Sequence, residues 1–112
     1  MSARRGSAAL QRSAPTFAAL GDATRLHVVS RLSGEGPLSI TELTEGSEVT
    51  RQAVTKHLTV LAAAGLVRDF RQGRQHVWEL QTRQLDEARR ALESISRRWD
   101  EALERLRAMV EE

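Results

Sequence analysis

The sequence contains no cysteine and only two prolines, and aromatic residues make up 4% of its 112 positions. Without cysteine, a disulfide framework, a cysteine-ligated zinc site and a thiol redox switch are all excluded. No apolar run approaches the roughly 20 residues that a membrane-spanning helix needs, and no apolar block follows the first arginines as in a secretory signal. The expected protein is therefore soluble and cytoplasmic.

Motifs of catalysis and of metal binding are also missing. Residues 34–37 lack the lysine that would make them a phosphate loop, and no serine stands in a recognisable nucleophile elbow. The three histidines, His27, His57 and His76, have no spacing that resembles a metal motif. We therefore expect no enzyme, no metal and no cofactor.

The residues that are present suffice for one small domain, since 40% of them are apolar and 29% charged. A chain of this length buries roughly two thirds of the surface that its unfolded form exposes, which allows a core without disulfides. The net charge is only +2, but charges of one sign are grouped along the chain. Residues 50–76 carry five basic side chains and one acidic one, which suggests a surface for an anionic partner.

The N-terminal region divides into an arm and the start of a domain. Residues 1–13 are rich in serine, alanine and arginine and show no periodicity, which predicts a flexible N-terminal arm. The domain is expected over residues 14–112, with a first helix that begins near Pro15 and ends at Gly21.

Capping residues mark the next helices. Asp22 is a predicted N-cap, and the helix that it starts would bury Leu26, Val29 and Leu32. A very short strand is expected at residues 38–40, where Ser39 and Glu42 also fit the capping box of a brief helix.

A longer helix is predicted from Arg51 to about Ala64, with Thr50 as its N-cap and Gly65 as its left-handed C-terminal cap. Two runs of strand-forming residues follow, at 66–71 and 74–80, and Gln72-Gly73 between them predicts a two-residue hairpin turn.

The C-terminal region predicts a long dimerisation helix over residues 82–111. Its apolar residues form a seam of about three and a half heptads, to which the first helix would contribute. The alternative is a terminal helix folded onto its own core. The predicted dimer contacts are Phe17, Leu20, Leu85, Leu92, Ile95, Trp99 and Leu106.

The helix over 51–64 has two chemically different faces. Val54, Leu58 and Leu61 fall together at about 100° per residue, and hydrogen-bonding side chains lie opposite. No carboxylate occurs from residue 49 to residue 68. Because a carboxylate facing phosphates would cost Coulomb energy, this absence favours contact with nucleic acid.

Three helices, a hairpin and a trailing helix are the order of a winged helix-turn-helix, so we predict a mainly α protein with a small β-hairpin. In the major groove, glutamine pairs with adenine, arginine pairs with guanine and a threonine methyl contacts thymine. The arginines of the hairpin tip would reach the backbone and the neighbouring minor groove. The predicted contacts to double-stranded DNA are Thr50, Arg51, Gln52, Thr55, Lys56, Thr59, Arg71 and Arg74.

Four segments resemble the ArsR/SmtB-type transcriptional regulators. They are Phe17-Ala-Ala-Leu-Gly-Asp-Ala-Thr-Arg-Leu26, Leu38-Ser-Ile-Thr-Glu-Leu43, Thr50-Arg-Gln-Ala-Val-Thr-Lys-His-Leu58 and Leu61-Ala-Ala-Ala-Gly-Leu-Val67. Gly73-Arg74 with Trp78-Glu-Leu80 is similar to the family's wing, and the helix that carries Arg98-Trp99-Asp100 is similar to its metal-independent branch. The resemblance implies a homodimer on a palindromic operator, usually a repressor, whose first and last helices form the interface.

The metal sensors of that family carry Cys-x-Cys after the short strand, or Asp and His ligands on the last helix. At the position of Cys-x-Cys this sequence has residues 40–42 or their immediate neighbours, none of which is cysteine. No histidine follows His76. The resemblance therefore implies a regulator that does not sense metal. Two alternatives remain open at this point, namely a sensor with an unrecognised metal or small-molecule site and a winged-helix module that binds protein in place of DNA.

Overall fold

Residues 2–111 are described by the computed structural model, with side chains from residue 8 onward, and they form five helices and three strands. The expected mainly helical winged helix-turn-helix with a long final helix is confirmed. In chain order the elements are α1 (Ser2–Leu20), α2 (Ala23–Glu35), β1 (Leu38–Ser39), α3 (Ile40–Thr44), α4 (Arg51–Ala63), β2 (Val67–Gln72), β3 (Gln75–Leu80) and α5 (Arg83–Glu111).

The core lies where α2, α3 and α4 meet the sheet. Leu58 and Leu61 of α4 and Leu66 after it are fully buried, and Val54 lies beside them. The predicted inward face of α4 is therefore confirmed. Because these side chains fix one side of α4 in the core, the opposite side of the helix faces out.

The predicted N-caps of α2 and α3 are confirmed. The Asp22 carboxylate accepts from the backbone N of Arg25 at 3.0 Å. Ser39 Oγ accepts from the backbone N of Glu42 at 3.1 Å, and Glu42 Oε1 accepts from the backbone N of Ser39 at 3.0 Å. This capping box starts α3 directly after β1, so the helix-turn-helix begins at the edge of the sheet.

Loss of the capping box gives a modest stability prediction. Ser39→Ala is expected to lower the free energy of unfolding by about 1 kcal/mol, because the Glu42 backbone N–H loses its acceptor. Urea titration at fixed protein concentration measures the change. Ser30→Ala, at an exposed position inside α2, serves as the control and should leave the midpoint unchanged. An equal loss in both variants would contradict the capping role.

The three strands form one antiparallel sheet in the order β1-β3-β2. Gln72 pairs with Gln75, so the hairpin turn consists of Gly73 and Arg74. The predicted turn, Gln72-Gly73, is thus wrong by one residue. Gly73 has φ +64° and stands at the first central position, where a tight hairpin requires a positive φ that glutamine would adopt only at a cost.

The start of α1 differs from the expectation. Residues 2–13 are helical and not irregular, and Pro15 lies inside the helix. Local composition misled here, because the middle of α1 has contacts that composition does not reveal: Ser13 and Thr16 are buried, and Arg12 Nε lies 2.7 Å from Glu87 Oε1 of α5. Met1 lies outside the described residues, and the flexibility of the segment 1–13 stays a prediction.

The buried face of α2 also differs in part from the predicted one. Val28, Val29 and Leu32 are buried, whereas Leu26, expected in this face, is 53% exposed. The buried stripe is centred between Val28 and Val29, which places Leu26 about 100° away from its middle.

The last helix runs well beyond the core. Ala88 and Ala91 are buried against the rest of the chain, and the apolar residues after them are exposed. This overhang gives the chain extents of 66 × 30 × 20 Å. Among the described residues, each helix is too short or too polar to cross a membrane.

Candidate nucleic-acid interface

The exposed face of α4 is fixed in position by the caps at both ends of the helix and by the buried side chains on its inner face. Thr50 Oγ1 accepts from the backbone N of Ala53 at 3.1 Å, and Gly65, with φ +77°, follows the helix in the left-handed conformation. Both predicted caps are confirmed. The polar side chains predicted for the outer face are all exposed, and they are Gln52, Thr55, Lys56 and Thr59.

Two threonines of this face donate hydrogen bonds to their own helix. Thr55 Oγ1 donates to the carbonyl of Arg51 at 2.8 Å, and Thr59 Oγ1 donates to the carbonyl of Thr55 at 2.9 Å. Their hydroxyl hydrogens are therefore occupied, and their methyl groups and oxygen lone pairs remain for a ligand.

Arg51 is tied to the preceding helix. Its Nη1 donates to Thr41 Oγ1 on α3 at 2.8 Å. Arg51 and Gln52 were both predicted to contact bases. The Arg51 side chain, however, is bonded across the two helices of the motif. Sequence analysis missed Thr41, and no local pattern marks it, because the bond joins residues of separate elements.

The wing carries a positive tip. Arg71 lies on β2 and Arg74 in the turn, and both are exposed. Among the described side chains, the ion pairs of the wing join Arg68 to Glu79 and His76 to Asp69. Asp69 of β2 is thus bonded to His76, and among the described side chains Arg71 and Arg74 form no ion pair, so their charges remain available to an anion.

The start of α4 and the wing border the same open groove. Arg51 and Thr41 line one part of it and Gln75 and His76 of β3 another, and the carboxylates Glu42 and Glu45 of the α3 segment also line it. The recognition helix and the wing therefore face the same side of the molecule, as a winged helix on duplex DNA requires. Sequence analysis placed Gln75 and His76 on the second strand of the hairpin but did not assign them to the interface.

His57 lies at the border between the outer face and the core. Its Nδ1 is 3.4 Å from Nη1 of Arg25 and 3.8 Å from the Asp22 carboxylate. The pKa of Asp22 is lowered, first by the hydrogen bond from the Arg25 backbone N–H and also by the nearby charge of the Arg25 guanidinium. Asp22 therefore stays ionised at neutral pH and keeps its capping role.

The other histidines lie apart from His57, His27 on the exposed side of α2 and His76 on the wing. Within residues 2–111, no group of three or more His, Cys, Asp or Glu side chains gathers in a way that could hold a metal ion.

From its tenth residue onward, α5 presents an exposed apolar stripe, defined here as Leu92, Ile95, Trp99, Leu103, Leu106, Met109 and Val110. Of the predicted dimer contacts, Leu92, Ile95, Trp99 and Leu106 belong to it, and Trp99 is 64% exposed. Leu20 and Leu85 pack against the core of their own chain, and Phe17 is half-buried. The dimer contacts themselves stay a prediction.

A recognition helix with a polar, acid-free outer face, beside a wing with a positive tip, defines a DNA-binding transcriptional regulator. The family model of a helix-turn-helix domain matches residues 20–69. The chain is 40% identical to the HTH-type transcriptional regulator Rv2034 of Mycobacterium tuberculosis over 85 residues, which cover 76% of each protein. It is 43% identical over 67 residues to the uncharacterized HTH-type regulator YuzN of Bacillus subtilis, covering 54% of this chain and 73% of that one.

Among solved structures, the chain is similar to an ArsR-like transcriptional regulator from Rhodococcus sp. RHA1, with a TM-score of 0.73 and 34% identity. The match covers 89% of this chain and 93% of the other. The chain therefore belongs to the ArsR family of winged helix-turn-helix transcriptional regulators, which bind double-stranded DNA and are not enzymes.

Proposed function

We propose that this regulator binds a palindromic operator as a homodimer and represses transcription by occluding the promoter. The exposed apolar stripe of α5 carries this proposal, because seven large apolar side chains there have no cover from their own chain. A two-fold axis through such a stripe would bury it and would place two recognition helices on half-sites about one helical turn apart.

Within each half-site we propose different tasks for the helix and the wing. Gln52 and the methyl of Thr55 contact base edges, and Thr50, Arg51, Lys56 and Thr59 contact phosphates or support the contacts of their neighbours. Arg71 and Arg74 reach the backbone and the minor groove. The exposure of the outer face of α4 and the unpaired charges of the wing tip support this division.

Selection from a random duplex pool tests the proposal. Purified protein is allowed to bind the pool at two salt concentrations, and the bound DNA is sequenced. We expect enrichment of a palindrome and a steep fall of affinity with salt, which is smaller for the double variant Lys56→Ala/Arg74→Ala because it loses two cationic contacts. Binding with no enriched sequence would contradict the operator, and enrichment of a single unrepeated site would contradict the dimer.

Two single substitutions separate base contacts from phosphate contacts. Gln52→Ala is expected to lose about 1 to 3 kcal/mol of discrimination at one operator position, whereas Arg74→Ala weakens all sequences alike and flattens the salt dependence. Affinities for the selected operator and its single-base variants are measured by fluorescence anisotropy, with each variant as the control of the other. An unchanged preference at every position in Gln52→Ala would contradict the role of Gln52.

We further propose that metal ions do not release this regulator from DNA. The sequence has no cysteine to supply the thiolates that family sensors use after the short strand. Calorimetry with zinc, copper and nickel should give no specific heat of binding, and the operator affinity should be the same with and without each metal. Stoichiometric binding of one metal that also weakens the DNA complex would overturn this proposal.

A further inference from the structure

One guanidinium group, that of Arg25 on α2, joins three helices. Its Nε donates to the carbonyl of Ala19 at 2.6 Å, and its Nη2 lies 3.5 Å from the carbonyl of Ala18. Both carbonyls belong to the last turn of α1, where helix carbonyls lack an N–H donor within the helix, and the Ala18 carbonyl also accepts from the backbone N of Gly21 at 3.3 Å. Arg25 thus closes the end of α1 from the side of α2.

The same guanidinium reaches the recognition helix. Nη1 of Arg25 lies 3.4 Å from Nδ1 of His57, which stands between the outward Lys56 and the buried Leu58. Arginine donates hydrogen bonds and never accepts them, so a hydrogen bond in this contact requires Nδ1 of His57 to be the acceptor. Asp22 lies on the same junction and gives the guanidinium an anionic neighbour.

The contacts of Arg25 connect the α1–α5 layer with α4, two parts of the molecule whose relative orientation a dimeric regulator must keep fixed. α1 packs along α5, where Arg12 pairs with Glu87, and α5 carries the exposed apolar stripe. α4 carries the face for DNA. Apart from packing, the contact from Ala19 through Arg25 to His57 is a polar connection between these parts within the described residues.

We propose that Arg25 is a positioning residue that sets the orientation of the recognition helix relative to the α1–α5 layer, and thereby the half-site spacing that the dimer selects. It touches no DNA and acts through His57 and the end of α1. This inference rests on the proposed dimeric operator binding. Its distinctive consequence is a loss of spacing preference, which a simple loss of phosphate contacts does not produce.

The first test is a series of operators in which the separation of the half-sites is changed by one and two base pairs. Wild type should prefer one spacing. In Arg25→Met we expect the preference over the neighbouring spacings to fall about tenfold, the factor that one charge-assisted hydrogen bond corresponds to, with the salt dependence unchanged. Arg25→Lys keeps the charge but not the forked geometry and should fall in between.

Arg31→Met is the matched control. Arg31 lies on the same helix and is also half-buried, but it donates to the Glu42 carbonyl of α3 at 3.0 Å and to Glu35, not to α1 or α4. It should keep the spacing preference of wild type. A flattened profile in Arg31→Met as well would show that any weakening of the fold has this effect and would overturn the proposal.

A second measurement does not depend on DNA. Because the chain has no cysteine, Ala14→Cys on α1 and Ala62→Cys on α4, both exposed, can carry two spin labels without background. Dilution with unlabelled protein keeps the measured distances within one chain. The distribution of distances should broaden in Arg25→Met and stay narrow in Arg31→Met. If Arg25→Met does not fold, both the spacing preference and the spin-label distances are measured on Arg25→Lys.

The outcomes separate this inference from the proposed function. A wild type that selects no palindrome contradicts the operator proposal, and the spin-label distances then decide alone whether Arg25 holds α1 and α4 together. An unchanged distance distribution in Arg25→Met contradicts the claim that Arg25 holds α1 and α4 in a fixed relative position. A broadened distribution with an unchanged spacing preference overturns the positioning role.

Discussion

Trp99→Asp is expected to convert the proposed dimer to monomers at micromolar concentration. Trp99 is 64% exposed in the single chain and lies near the middle of the exposed apolar stripe. A buried tryptophan at an interface contributes at least about 2 kcal/mol, and a two-fold axis counts it twice, so the dissociation constant should rise roughly a thousandfold. Sedimentation equilibrium measures it, and the operator affinity should fall in parallel.

Ala108→Asp is the control for this variant. It introduces the same carboxylate on the same helix, nine residues further on, which at about 100° per residue is the opposite face. It should remain a dimer. If Trp99→Asp also stays dimeric, the stripe does not form the interface, and the predicted contacts Leu92, Ile95 and Leu106 lose their support with it.

Thr55→Asp should lower the operator affinity at least about a hundredfold, since it places a carboxylate in the centre of a face that has none and removes a base contact. Fold and dimer should be retained, because Thr55 is exposed and its hydroxyl bonds only to its own helix. Anisotropy with labelled operator measures the affinity, and circular dichroism checks the helix content.

Ser30→Asp adds the same charge at an exposed site on α2, outside the proposed interface. It should weaken DNA binding only slightly, through the change in net charge. Equal losses in Thr55→Asp and Ser30→Asp would mean that the protein binds DNA by its overall charge and not by the outer face of α4.

Local signals in the sequence were sufficient for the DNA-facing part of the fold. The caps Asp22, Ser39 and Thr50 each depend on a hydrogen bond that spans three residues, so the sequence alone locates them. The inward residues of α4 repeat with the helical period and were likewise predictable. The recognition helix, its outer face and the presence of the wing follow from these local rules, whereas the turn of the wing was predicted one residue too early.

The features that the sequence did not predict depend on contacts between distant residues. The middle of α1 is bonded to α5 through Arg12 and Glu87, which are 75 residues apart. The junction at Arg25 joins residues that are 32 positions apart, and the bond from Arg51 to Thr41 joins two separate helices. A single sequence contains no periodicity or spacing that marks such pairs, so the orientation of α4 could not be foreseen.

The hydrogen bonds that Thr55 and Thr59 donate to their own helix limit which groups of a base the outer face of α4 can contact. With their hydrogens bound to the carbonyls of Arg51 and Thr55, they can accept from the amino groups of adenine or cytosine and can pack against the methyl of thymine, but they offer no donor to guanine. Donors to base edges come instead from Gln52. We therefore expect the helix to distinguish base pairs by where their amino and methyl groups fall along the groove.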